Sequence, residues 1–279
     1  MTLTPPTRPG GSWQFVAAHG DRLLLAPERG GLVTGWRCQG PWGEREMLYF
    51  DAERFADPSK SVRGGIPVLF PICGGLAGSA LPQHGFARDL PWELSVLAAG
   101  SGVRMTLRDS PATLELFPYP FRLELEFRLE PQAVAILARV SHPGGAADDP
   151  LPFSFGLHPY FAAADLAAVR LAGLPAQALD QAVGQIADTA QLLERLPRGV
   201  DLLAGPTSAV RLEADGVAVS LDTQAPLDLA VVWTDPPRPM VCLEPWTAPR
   251  GALTSGERLL HVKPGQRLEL ACRYRVEGL

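Results

Sequence analysis

The sequence predicts an all-β protein built from short antiparallel strands, with few short helices. Three observations predict it. Short apolar bursts recur along the chain, separated by Gly, Pro and Asp turn signals at ~8–12-residue intervals. The segment Phe121–Leu129 alternates apolar and charged residues, as a strand with one face in a core and one in water does. Asp215-Gly216 sits between two β-rich runs, a strong signal for a two-residue hairpin.

The 279 residues are enough to bury a sizeable core. Hydrophobic residues make up 46% and charged residues 20%, which places the chain among globular proteins. A net charge of -5 argues against nucleic-acid binding, which needs a basic face. No apolar run approaches the ~18 residues of a membrane span. Residues 1–11 are rich in Pro and Gly and lack an apolar signal core, so the expectation is a loose lead of 1–11, one domain over 12–279, and a cytoplasmic location. Cys38, Cys73, Cys242 and Cys272 show no C-x-x-C and no short Cys/His spacing. Buried free thiols are expected, and neither a metal site nor a cofactor is read from these spacings.

Taken in order, Trp13–Val16, Leu23–Leu25, Leu32–Thr34 and Met47–Phe50 read as strands, with glycines turning the chain between them. Residues 51–60 read as a loop or a helical turn. Arg63-Gly64-Gly65 opens an apolar segment interrupted by Pro67 and Pro71, an irregular buried wall rather than a regular ladder. Its glycines suit close approach by a neighbour, and Arg63 at its mouth is either a ligand for an oxygen acceptor or a surface cation beside a turn.

Leu81–Arg88 reads LPQHGFAR. As a strand it places His84, Phe86 and Arg88 on one side, either the floor of a polar-ligand site or a solvated edge. Hairpins are expected for Trp92–Val96 with Val103–Leu107, and for Phe121–Leu129 with Ala133–Val140. The charged row of Phe121–Leu129 is expected to face water. Residues 141–150 form a polar loop.

In Pro152–Phe161, Phe153, Phe155 and Leu157 share one face while Ser154, Gly156, His158 and Tyr160 share the other. His158 ends that strand at Pro159, where it either projects into a cavity or caps a strand end. Residues 162–205 support no firm assignment beyond a short helix. Strands resume at Ala209–Leu212, Val217–Leu221, Leu229–Thr234 and Met240–Thr247, and Leu268–Val276 closes the sheet.

Glu244 lies inside an apolar strand with Trp246 on its own face. Burial would raise the pKa of such a carboxyl, making it a proton-transfer group, unless an arginine pairs with it. His84, His158, Glu244, Arg63 and Arg88 together suit proton movement on a polar substrate. There is no G-x-S-x-G and no phosphate or dinucleotide loop.

The motifs RGGIPVLFP at 63–71, LPQHGFAR at 81–88, LHPYF at 157–161 and LEPW at 243–246 occur in the order seen in the aldose 1-epimerase (galactose mutarotase-like) superfamily. From about Trp13 onward the chain resembles that superfamily, and its hexose-6-phosphate mutarotase-like branch most. The resemblance implies a large antiparallel β-sandwich, the galactose mutarotase-like supersandwich, and an isomerase that interconverts the anomers of a hexose or hexose 6-phosphate. It implies no cofactor, and a sugar or sugar phosphate as the small-molecule partner. It further implies His158 as general acid at the ring oxygen and Glu244 as general base at the C1 hydroxyl. Arg63, His84, Arg88 and Asp201 would bind substrate. In the phosphate-sugar branch an arginine commonly follows that aspartate; here it is Leu202. Pro159 stands where relatives often have Tyr or Thr. The alternative reading is a non-catalytic carbohydrate-binding β-sandwich module.

Overall fold

A computed structural model describes residues 1–7, 11–145 and 147–279. Every strand ladder among them is antiparallel. A five-stranded meander runs from Thr2–Thr4 through Gly43–Glu46. One eight-stranded sheet is ordered Arg170–Ala172, Ala209–Ala214, Val217–Thr223, Arg267–Gly278, Ala133–Ser141, Arg122–Glu130, Val103–Arg108, Glu93–Val96. A second runs Gln185–Asp188, Gln177–Asp180, Asp201–Ala204, Leu229–Trp233, Met240–Trp246, Gly156–Leu157, Val68–Leu69, with Tyr160–Ala162 also paired to Met240–Trp246. Four short helices, Ala52–Ala56, Pro111–Leu116, Thr189–Leu193 and Ala252–Ser255, sit between strands. Among the described residues no helix is long and apolar enough to cross a membrane.

One apolar cluster joins the sheets, from Phe15 to Val276. The strand Met240–Trp246 shows how the period of two builds it. Val241 and Leu243 point into this cluster, while Met240, Cys242, Glu244 and Trp246 take the opposite face. Tyr274 crosses the core and donates its hydroxyl to the Leu243 carbonyl at 2.8 Å. Leu202, Ala230, Val232, Phe155 and Leu157 are core residues on the neighbouring strands. The side of this sheet turned away from the core is therefore available for a site.

The expected hairpins form. Ala214 pairs with Val217 around Asp215 and Gly216, both at positive φ as a type I′ turn requires. All four cysteines are free and buried.

Three expectations need correction. Thr2–Thr4 is a strand on the outer edge of Trp13–Val16, so this part of the lead is tied by ladder hydrogen bonds that the edge would otherwise leave open. Positions 8–10 of the lead and 146 of the loop lie outside the described residues. Leu81–Arg88 is not a strand: His84 and Gly85 both have positive φ, and Ala87–Asp89 is a 3₁₀ turn. The row on Phe121–Leu129 is not a solvated face either. Glu124 and Glu126 are buried beneath guanidinium groups from their own and adjacent strands.

Glu126 accepts from Arg104 at 2.6 Å, Arg128 at 2.8 Å and Arg139 at 2.5 Å. Desolvation pushes its carboxyl up, but the three guanidinium bonds outweigh this and hold it at about 2. Its folded pKa is thus depressed below the ordinary 4.5, so its stabilisation is complete above that value and is lost as pH falls toward about 2. Glu126→Ala is expected to cost about 2 kcal/mol at neutral pH, the arginines being partly solvated. Urea melts would show a deficit that shrinks in acid; a pH-independent deficit would remove the ion-pair explanation.

Candidate active site

The face opposite the core carries a cleft of about 200 Å³. It is lined by all six residues singled out from sequence: Arg63, His84, Arg88, His158, Asp201 and Glu244. Strand register explains why they meet. Gly156 pairs with Trp246 and Tyr160 with Cys242, so His158 stands opposite Glu244 on the intervening step. On the other side Glu244 pairs with Val231, and Cys242 with Trp233, which in turn pairs with Asp201. Cross-strand neighbours on one face lie ~4.5–5.5 Å apart at Cβ. Antiparallel register thus brings residues more than eighty positions apart into one row.

His158 Nδ1 and Glu244 Oε1 face each other at 3.3 Å. The approach is too oblique for an aligned hydrogen bond, and neither atom has another partner among the described residues. The second carboxylate oxygen is held: Trp246 Nε1 donates to Glu244 Oε2 at 3.0 Å. That bond needs the indole to lie across Gly156, where any Cβ would stand 2.7 Å from Trp246 Cδ1. The His158 ring stacks on Tyr160 at 4.7 Å and 11°, and meets the edges of His84 at 5.5 Å and Trp233 at 5.6 Å. These contacts fix the imidazole plane, with Nδ1 toward the carboxyl and Nε2 left for the cleft.

No arginine pairs with Glu244 among the described residues, and burial pushes its pKa well above the ordinary value. Burial pushes His158 the other way, helped by His84, Arg88 and Arg63. A resting pair with the proton on the carboxyl and a neutral imidazole follows. This pair carries one proton, which Oε1 and Nδ1 are placed to exchange.

His84 sits in the turn described above. The Gly74 N–H donates to its Nδ1 at 3.0 Å, so the neutral ring carries its proton on Nε2. Burial and the charges of Arg88, Arg250 and Arg63 hold its pKa at about 3. His84 is therefore a neutral hydrogen-bond donor across the physiological range.

The three arginines differ. Arg63 bonds Ser61 Oγ and the Val62 carbonyl, both at 3.2 Å, and lies over the Trp233 ring at 5.8 Å. Arg250 donates to Asp201 at 2.8 Å, and Asp201 also accepts from Gln181 at 2.9 Å. The Arg88 side chain makes no hydrogen bond among the described residues; Asp89 lies 3.9 Å away, and burial depresses the arginine's pKa. A half-buried guanidinium without hydrogen bonds, with only its Nε fully enclosed, leaves its fork free for an incoming oxygen acceptor.

Sequence reasoning missed Arg250, whose only signal is its place just beyond the strand bearing Glu244. The glycines at 64 and 65 approach the protein's own backbone, at Tyr49-Phe50 and Val33, rather than the cleft. Leu202 points into the core, so the missing arginine at that position is absent from a face that does not reach the cleft.

Comparison with known proteins bears on what this cleft belongs to. The aldose 1-epimerase family profile matches residues 15–275. Curated proteins named "Putative glucose-6-phosphate 1-epimerase" from Escherichia coli and Salmonella typhimurium are 33% and 31% identical to the chain, each over 156 residues. Those matches cover 55% of this chain and 49% of each relative, so they span about half the length of these proteins. Among solved structures, the Slr1438 protein from Synechocystis sp. PCC 6803 superposes with a TM-score of 0.88 at 35% identity, covering 100% of this chain and 98% of that one. A galactose mutarotase-like protein from Lactobacillus casei shares the fold, with a TM-score of 0.75 at 18% identity and coverage of 96% and 100%. The profile spans nearly the whole length, and its span includes the four motifs and every one of the six cleft residues predicted from sequence. The chain therefore belongs to the aldose 1-epimerase family.

Proposed function

We propose that this protein is a mutarotase that interconverts the α and β anomers of a hexose or hexose 6-phosphate. The observation that carries the reading is the His158–Glu244 pair, two proton-transfer groups 3.3 Å apart at the floor of a polar cleft. Sugar binding draws the shared proton from Glu244 to His158, which creates a carboxylate and an imidazolium. Glu244 then takes the proton of the C1 hydroxyl while His158 Nε2–H gives a proton to the ring oxygen. The bond from C1 to the ring oxygen breaks and C1 becomes a carbonyl. Rotation about C1–C2 and closure with the same two transfers reversed yields the other anomer. The proton count of the pair is the same before and after. His84 Nε2–H, Arg63 and Asp201 hold hydroxyl oxygens, with Arg250 fixing the orientation of Asp201.

Arg88 supports a phosphorylated substrate, since its half-buried guanidinium lines the cleft and makes no hydrogen bond among the described residues. The test is NMR exchange spectroscopy on glucose 6-phosphate, glucose and galactose. The reading expects exchange above the buffer rate, fastest for the phosphosugar. Arg88→Ala is then expected to raise KM for glucose 6-phosphate by ~10–100-fold, with glucose unchanged, the loss of one charge-assisted contact. Equal losses for both sugars would assign Arg88 to a hydroxyl instead. No acceleration for any sugar, with binding intact, would favour the binding-module reading.

A further inference from the structure

We propose that the floor of the cleft is also a binding site for a thiophilic divalent cation such as Zn2+ or Cd2+, held by His158 Nδ1, Cys242 Sγ and Glu244 Oε1. A ring nitrogen of His158, the Cys242 sulfur and a carboxylate oxygen of Glu244 lie within 4.8 Å of one another, and His158 Nδ1 and Glu244 Oε1 are 3.3 Å apart. Two of them, His158 Nδ1 and Glu244 Oε1, are buried, unpartnered and turned toward each other. The third stands beside them by register: Cys242 and Glu244 are two apart on one strand face, and His158 is opposite Glu244. Among the described residues the one hydrogen bond of Cys242 Sγ is the weak one to the Met240 sulfur at 3.9 Å.

Tetrahedral zinc, with bonds of ~2.0 Å to nitrogen and oxygen and ~2.3 Å to sulfur, needs ligand atoms roughly 3.3–3.6 Å apart. The His158–Glu244 separation already matches, and a modest inward turn of the thiol completes the triangle. His158 and Glu244 line the cleft, so an ion between them would sit at its floor. A thiolate and a carboxylate together neutralise a dication, and among the described residues no guanidinium forms an ion pair with Glu244. Arg63, Arg88 and Arg250 line the same cleft and oppose any free cation. Hard ions such as Mg2+ gain nothing from sulfur to offset this repulsion, whereas thiophilic ions do.

Binding depends on these three ligands alone and is independent of the sugar reading. Its consequence rests on that reading: the ion takes both groups assigned to proton transfer, so occupancy inhibits mutarotation.

Co2+ is the probe, titrated into the full chain without sugar. One equivalent is expected to give tetrahedral d–d bands and a near-ultraviolet thiolate charge-transfer band, both displaced by Zn2+. Cys242→Ser is expected to abolish the charge-transfer band, keep anomer exchange, and lose inhibition by Zn2+. A charge-transfer band that survives in Cys242→Ser, or the absence of one in the wild type, overturns the proposal. Should that variant not fold, cadmium NMR on the wild-type protein decides: a shift typical of one sulfur ligand sustains the site, and a shift typical of oxygen and nitrogen alone overturns it. A cobalt site without sugar turnover would leave the metal proposal standing while the mutarotase reading falls.

Discussion

Glu244→Gln is expected to slow anomer exchange by about 10²–10⁴-fold and, at neutral pH, to make the protein more stable. The two effects share one cause. The Glu244 carboxyl is fully buried and, among the described residues, forms no ion pair with an arginine or lysine; burial, which outweighs the nearby charge of Arg250, holds its pKa well above the ordinary 4.5. A raised folded pKa means that the group's favourable contribution is complete below 4.5 and is lost as pH rises through the folded value. As pH rises above 4.5 the unfolded carboxyl ionises before the folded one does, so the wild type carries a cost that grows with pH. Glutamine carries none. Its carbonyl can accept from Trp246 Nε1, which keeps that bond, and its amide faces His158 Nδ1, which has no hydrogen bond in the wild type either. What glutamine cannot do is take a proton from the C1 hydroxyl.

Thermal melts of both proteins across about pH 5 to 8 check the stability half. The wild-type midpoint should fall relative to the variant as pH rises. Parallel curves would show that Glu244 is not held protonated. The rate half has its own signature. The pair keeps one proton between the lowered titration of His158 and the raised titration of Glu244. Wild-type exchange should therefore be flat through neutrality, falling only in acid and in alkali. A bell centred near neutral pH would contradict the one-proton pair.

Gly85→Ala is expected to destabilise the fold by about 3 kcal/mol or more and to displace His84 from the cleft. Gly85 has φ of +73°, which alone disfavours a side chain. A Cβ there would also stand 2.1 Å from the Phe70 carbonyl oxygen and 2.7 Å from Pro71 N. Backbone cannot yield as a side-chain tip can. The turn is tied on several sides: Phe70 N–H donates to the His84 carbonyl at 3.2 Å, His84 N–H to Gly74 at 2.6 Å and Gly85 N–H to Pro82 at 2.8 Å. The same segment sets the His84 tautomer through Gly74 N–H, so activity should fall further than the melt predicts. Denaturant titration and exchange rates measured where both proteins are folded separate the two effects. A variant of wild-type stability would mean that the close approach at Phe70 relaxes freely.

This turn also marks the limit of what alternation can reveal. In LPQHGFAR the period-two pattern suggested a strand, yet two consecutive positive-φ residues reverse the chain there. Histidine can adopt either conformation, and only the packing of Gly85 against Phe70 selects the left-handed one. His84 and Arg88 reach the cleft all the same, while Phe86 goes to the core. The charged row of Phe121–Leu129 teaches a related lesson. Alternation identifies the outward face but cannot say what covers it, and arginines from the same and paired strands close over Glu124 and Glu126.

What the sequence by itself determined is local. Alternation within VCLEPW decided that Cys242, Glu244 and Trp246 share a face, and the run FSFGLHPY did the same for Gly156, His158 and Tyr160. Turn residues placed the hairpins, and four ordered motifs carried the family. What only the tertiary structure decided is which of these faces meet. Strand pairing set His158 opposite Glu244, brought Asp201 into the row through Trp233, and folded Arg250 onto Asp201. The reason is physical. A side chain's direction along a strand follows from the backbone of its own few residues, whereas register between distant strands is chosen by the burial of whole faces at once.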